Sequence, residues 1–224
     1  MAGPDGLQHD LPVPYLEQAS ATAGQPLVIF LHGFGSNEDD LFSLREQLPA
    51  GYNYLSLRAP LDVEPGAYKW FTRKPGEGDY DGVTEQLADS QRLLGQFITQ
   101  AQAKYHTAAN KVILVGFSQG AIMAYEVGLR RPGSVGGIAA LSGSLLPVLH
   151  AEIKPSPALA RLPVFIGHGT DDPQLPVKDA AAADQVLRGL GLQPQLHVYP
   201  GMVHTISGVE VKDLRAWLAQ VLAG

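Results

Sequence analysis

Lys111-Val-Ile-Leu-Val115 runs directly into Gly116-Phe117-Ser118-Gln119-Gly120-Ala121. The first segment is short, apolar and β-branched, which suits a strand buried on both faces. Ala121 to Leu129 reads as a helix, and Pro132-Gly133 ends it. A G-x-S-x-G between an apolar strand and a helix has the pattern of a nucleophile elbow, in which the serine sits at the tip of a strained turn. Its neighbours two residues either side must be small, and Gly116 and Gly120 meet that need. A bare G-x-S-x-G also occurs as a chance glycine-rich turn. The strand before it and the helix after it argue against that reading here.

Outward from this point, strands and helices alternate. Leu27 to Leu31 is a second continuous apolar run. Ser36 or Asn37 is suited to cap a helix through Leu41, Leu44 and Leu48. Tyr52 to Leu57 alternates like a strand, and Pro60 to Asp81 reads as irregular. Gly82 to His106 has Leu87, Leu94, Phe97, Ile98, Ala101 and Tyr105 near one face, as an amphipathic helix requires. Val135–Leu141, Pro163–Ile166 and Gln195–Tyr199 read as strands, 176–191 and 207–222 as helices, and 143–162 as an irregular, proline-containing insert. Residues 11–17 form a candidate edge strand blunted by Pro12 and Pro14. The pattern predicts an α/β fold with a mainly parallel central sheet covered on both faces by helices. It predicts one domain over 11–224, preceded by a flexible tail over 1–10.

Composition excludes several other classes. The chain has 224 residues, no cysteine and a formal net charge of −6. No disulfide, thiolate metal site or cysteine nucleophile is open to it. The acidic balance argues against nucleic acid and anionic membrane as main partners. The chain holds 25 glycines and 17 prolines, which suits a fold with many tight turns. Met1 to Asp10 shows no basic segment followed by an apolar one, and the longest apolar runs are about five residues, against ~20 for a membrane helix. The expectation is a soluble, cytoplasmic protein with no integral membrane segment.

In parallel sheets, sites form in the loops after the strands. After Tyr199 comes Pro200-Gly201-Met202-Val203-His204, which places an imidazole where it could take the Ser118 proton. Of the seven histidines, His204 alone combines a late strand end with a free loop. His32 and His168 begin His-Gly turns and are expected to brace loops beside the site. After Ile166 comes Gly167-His168-Gly169-Thr170-Asp171-Asp172-Pro173, which offers two candidate carboxylates to orient the base. Each could instead be a turn cap. The order serine, acid, histidine is that of α/β-hydrolases. After Leu31, His32-Gly33-Phe34-Gly35-Ser36 lets the backbone approach a reacting carbonyl. The Phe34 amide could then pair with that of Gln119 as an oxyanion hole. No HExxH or other ligand spacing marks a metal site.

These segments together resemble the phospholipase/carboxylesterase family of α/β-hydrolases, which includes the acyl-protein thioesterases. The matching stretches are LHGFGSNEDDL (31–41), RAP (58–60), WF (70–71), GFSQGA (116–121), LSG (141–143), HGTDDP (168–173) and GMVHTIS (201–207). The resemblance implies a triad of Ser118, Asp172 and His204, because the family's acid is the aspartate directly before proline. It places the oxyanion amides on Phe34 and Gln119. The stretches that cover the site, 62–81 and 144–162, depart from the thioesterase members, so chain length and leaving group are not carried over. The core elements leave no length for a large cap domain, which predicts an open site.

The expected function is that of a serine carboxylesterase acting on short-to-medium esters through an acyl-enzyme on Ser118, with no metal or organic cofactor. Trp70, Phe71, Leu145, Leu146 and Leu175 are candidates for the acyl pocket, with core or dimer packing as their competing role. An acyl-protein thioesterase or lysophospholipase acting on long chains is the alternative within the class. A weakly catalytic ligand-binding module is the alternative outside it. The chain is expected to act as a monomer or homodimer on a small-molecule ester.

Overall fold

A computed structural model describes residues 6–73 and 85–223. Nine strands, among the described residues, are β1 (Tyr15–Gln18), β2 (Leu27–Leu31), β3 (Asn53–Leu57), β4 (Leu61–Glu64), β5 (Ala67–Lys69), β6 (Val112–Phe117), β7 (Gly137–Leu141), β8 (Val164–Gly169) and β9 (Gln195–Tyr199). Seven of them form one sheet in the order β1-β3-β2-β6-β7-β8-β9. Within this sheet, among the described residues, only the edge strand β1 is antiparallel, pairing Tyr15 with Leu57, and the other pairings are parallel.

The helices are α1 (Glu38–Phe42), α2 (Glu85–Tyr105), α3 (Gln119–Arg130), α4 (Pro147–Glu152), α5 (Pro157–Ala160), α6 (Lys178–Gly189) and α7 (Gly208–Val221). The continuous apolar strands are explained by two cores, one on each face. On β2, Leu27, Ile29 and Leu31 pack with Leu94 and Phe97 of α2 and Met123 of α3. Val28 and Phe30 point the other way, toward Leu41 of α1 and Leu214 and Trp217 of α7. The period-2 alternation of a strand thus feeds both layers. This is the α/β-hydrolase architecture, with no large cap among the described residues.

Four expectations change. The helix expected from Ser36 or Asn37 is cut to five residues, capped by Asn37 Oδ1 accepting from the Asp39 amide at 3.0 Å, and continues as a 3-10 turn over Ser43–Glu46. The stretch from Pro60 is not irregular throughout: β4 and β5 pair as an antiparallel hairpin, while 74–81 lie outside the described residues, as do 82–84 of the expected long helix. The insert 143–162 holds two short helices, each with proline in its first turn, where a missing N–H costs nothing. The second half of the expected tail is fixed rather than loose. Leu7 is buried, and Gln8 exchanges backbone hydrogen bonds of 2.9 and 3.2 Å with Tyr15.

Candidate active site

Ser118 stands between β6 and α3 with φ 54° and ψ −117°, a conformation that L-residues adopt only under strain. Its amide donates to the Leu141 carbonyl at 2.9 Å, and its carbonyl accepts from Ala121 and Ile122. The turn is closed by close approach of backbone. A Cβ on Gly116 would collide with the Gly120 carbonyl, and one on Gly120 would collide with the carbonyl of Leu31. Glycine at these two positions is therefore a steric requirement.

His204, on the loop between β9 and α7, reaches Ser118. Its Nε2 lies 2.9 Å from Ser118 Oγ, and its Nδ1 lies 2.6 Å from Asp172 Oδ2. With the aspartate ionised, Nδ1–H donates to it and Nε2 accepts from the serine hydroxyl. Asp172 Oδ1 accepts from the amides of Gln174 and Leu175, both at 2.9 Å. Burial alone would favour the neutral acid. The Leu175 amide, the His204 ring and the Gln174 amide outweigh it and hold the carboxyl below its usual range. Asp171 is exposed and takes a hydrogen bond from Thr170 Oγ1 at 2.7 Å. Of the two adjacent aspartates, only Asp172 meets the imidazole among the described residues.

Phe34 and Gln119 flank the same serine. A Cβ on Gly33 would stand 3.3 Å from the Ser118 Cβ, so the loop after β2 lies against Ser118. The amides of Phe34 and Gln119 donate to no acceptor among the described residues. Both N–H groups are therefore unused, and that of Gln119, the residue after Ser118, stands at a helix N-terminus, which favours negative charge.

The five candidate acyl-pocket residues separate. Trp70, Phe71 and Leu146 are completely buried, and Leu175 nearly so. Trp70, Phe71 and Leu146 belong to the core between the sheet and helices α2 and α3. Their observed role is packing, the competing role foreseen for them. Leu145 alone is partly exposed, and it lines a cavity of about 240 Å³ with Ser144, Pro147 and Val186.

The structure also shows bracing around the site: that by His32 and His168 was expected from the sequence, and that by the Gln119 side chain was not. Gln119 Oε1 accepts from the Trp70 amide, and its Nε2 donates to the Phe71 carbonyl, both at 2.8 Å. Trp70 Nε1 donates to the His32 carbonyl at 2.9 Å. His32 Nε2 accepts from the Ala59 amide at 3.1 Å, which leaves Nδ1–H to donate to the Gly33 carbonyl at 2.7 Å. Burial holds the His32 ring below its usual pKa despite the Gly33 bond, consistent with a neutral brace. His168 Nε2 lies 2.9 Å from the Leu175 carbonyl and 3.4 Å from Asp172 Oδ2. Among the described residues no group of three or more His, Cys, Asp or Glu could hold a metal ion. No described helix is long and apolar enough to cross a membrane.

A mainly parallel sheet with a serine elbow at the carboxyl end of a central strand defines an α/β-hydrolase. Residues 17–222 match the Phospholipase/Carboxylesterase family, and the chain belongs to that family. It is 30% identical over 226 residues to acyl-protein thioesterase 1 of Gibberella zeae, covering 93% of this chain and 94% of the relative. It is 29% identical to the putative hydrolase MhqD of Bacillus subtilis, over 88% of this chain and 94% of that one. Among solved structures, the crystal structure of esterase PE8 superposes with a TM-score of 0.81 at 31% identity, covering 94% of this chain and 98% of that one.

Proposed function

We propose that this protein is a serine carboxylesterase that hydrolyses short-to-medium-chain carboxylic esters through an acyl-enzyme on Ser118. The observation that carries this reading is the unbroken hydrogen-bonded line from Ser118 Oγ through His204 to Asp172. His204 Nε2 takes the hydroxyl proton as Oγ attacks the ester carbonyl. Asp172 holds the tautomer that leaves Nε2 free and stabilises the imidazolium. The amides of Phe34 and Gln119 receive the oxyanion, each such donor contributing about 3 kcal/mol. The alcohol departs with the proton from Nε2. Water, deprotonated by the same nitrogen, then releases the acid from Ser118. The names of the relatives, a thioesterase and an esterase, fit acyl transfer of this kind.

Acyl-protein thioesterase or lysophospholipase activity on long chains is the second reading, and the Gibberella zeae relative favours it by name. Against it, burial of Trp70, Phe71, Leu146 and Leu175 leaves those side chains little surface to offer a long acyl tail.

A panel of p-nitrophenyl esters from acetate to palmitate tests both. The expected result is a maximum between about C2 and C6, with Ser118→Ala lowering kcat by about 10³-fold or more at every length. Asp172→Asn should reduce turnover far more than Asp171→Asn. Undiminished hydrolysis by the serine variant would sink the assignment, and a maximum at C12–C16 would transfer it to the second reading.

A further inference from the structure

A cavity of about 350 Å³ opens directly against His204. Its walls are Leu41 and Leu44 from the α1 segment, Phe117 from the end of β6, and Thr205 and Ile206 after the histidine, with Asp40 at its edge. The Phe117 ring packs on the His204 ring at 4.9 Å between centroids. This space lies beside His204, and its apolar walls pack with one of the two cores, whereas Leu145 packs with the other.

Position decides which part of an ester enters it. In the step that forms the acyl-enzyme, the bond between the carbonyl carbon and the alcohol oxygen breaks. That oxygen takes the proton carried by His204 Nε2, so the alcohol must stand on the histidine side. Asp40 brings the one carboxylate on the lining among the described residues. Its Oδ2 accepts from Ser36 Oγ at 2.7 Å, and Oδ1 takes no hydrogen bond among the described residues. The aromatic side chain of Phe117 lines the same space. A carboxylate with an unused oxygen and an aromatic ring that line one cavity together attract cations.

We propose that this cavity is the subsite for the alcohol moiety, and that Asp40 with Phe117 makes it select alcohols bearing a positive charge. The proposal rests on the reading of Ser118 and His204 as the catalytic pair. Asp40 is a specificity-determining residue and takes no part in bond making. Its bond with Ser36 is local support for the start of α1, and an asparagine keeps an acceptor for it.

The test compares two butyrate esters of matched shape. Butyrylcholine carries a quaternary ammonium, and 3,3-dimethylbutyl butyrate replaces its nitrogen with carbon. The ratio of their kcat/KM values does not depend on how much protein is folded. The unaltered enzyme should favour the choline ester by about fivefold, the scale of one partly solvated charge pair. In Asp40→Asn the ratio should fall toward 1, and Asp40→Glu should restore most of the preference. A ratio of 1 in the unaltered enzyme, or one that Asp40→Asn leaves in place, overturns the subsite. Hydrolysis of either ester that survives Ser118→Ala overturns the catalytic reading itself, and this proposal with it.

Discussion

A side chain at residue 120 has nowhere to go. Its Cβ would occupy the space of the Leu31 carbonyl oxygen and crowd that of His32. Both clashes are with backbone at the end of a central strand, which cannot swing aside as a flexible side chain does. Gly120→Ala is therefore expected to lose several kcal/mol of stability, a Tm decrease of about 2–4 °C per kcal/mol for a chain of this size. Esterase turnover should fall with it, because the shift must displace either the elbow or the loop carrying the Phe34 amide. Thermal unfolding and p-nitrophenyl butyrate turnover check both effects. This part of the site was legible in the sequence because the constraint is local: three positions in five residues state it. Asp172 was not legible in that way. Asp171 and Asp172 have the same side chain and adjacent positions, and only the resemblance separated them. What distinguishes them in space is the direction of each carboxylate, and that is set by the amides of Gln174 and Leu175 capping Asp172 Oδ1.

Gln119 and Trp70 tie together segments from distant parts of the chain. The β4–β5 hairpin delivers Trp70 and Phe71, and the Gln119 side chain bonds to the backbone of both. Trp70 then reaches the loop after β2 through His32, while Ser90 of α2 donates to the Trp70 carbonyl at 2.5 Å. The Gln119 side chain thereby ties this strap to the residue that follows Ser118. Gln119→Leu keeps the volume and the backbone N–H but leaves the Trp70 amide and the Phe71 carbonyl without partners. Each buried orphan costs about 1–3 kcal/mol. The expected outcome is a Tm loss of roughly 5–15 °C, with a lower kcat as the strap loosens, measured by calorimetry and ester hydrolysis. Sequence patterning placed Trp70 and Phe71 on an irregular stretch, where large apolar residues suggest a ligand surface. Their burial depends on a hairpin and on a hydrogen-bonding partner 49 residues away. Periodicity carries no information about such a partner.

The two-sided sheet is what the alternation of apolar runs and amphipathic segments dictates, and the loops at its carboxyl ends gather Ser118, Asp172 and His204 from β6, β8 and β9. The strand order and the antiparallel pairing of β1 follow from contacts between distant segments, and the sequence did not state them. Nor did it state that enclosing β8 under α7 would bury a carboxylate. Glu210, in the first turn of α7, is completely buried, and neither of its oxygens has a hydrogen-bond partner among the described residues. It occupies the space left by the missing side chain of Gly167. Burial pushes its carboxyl up to about 8 from an ordinary value of 4.5, and the nearby Asp213 adds to the effect. The folded protein thus holds a proton across this window that the unfolded chain releases. Stability must then fall as pH rises from about 4.5 to about 8, and the full cost persists above that range. Glu210→Gln stays neutral at every pH and retains the backbone N–H that Ser207 Oγ caps at 3.2 Å. At pH 5 the two proteins should unfold at nearly the same temperature. At pH 8.5 the variant should be the more stable by at least about 3 °C. A Tm difference that does not grow between pH 5 and pH 8.5 would show that Glu210 is charged in the folded state.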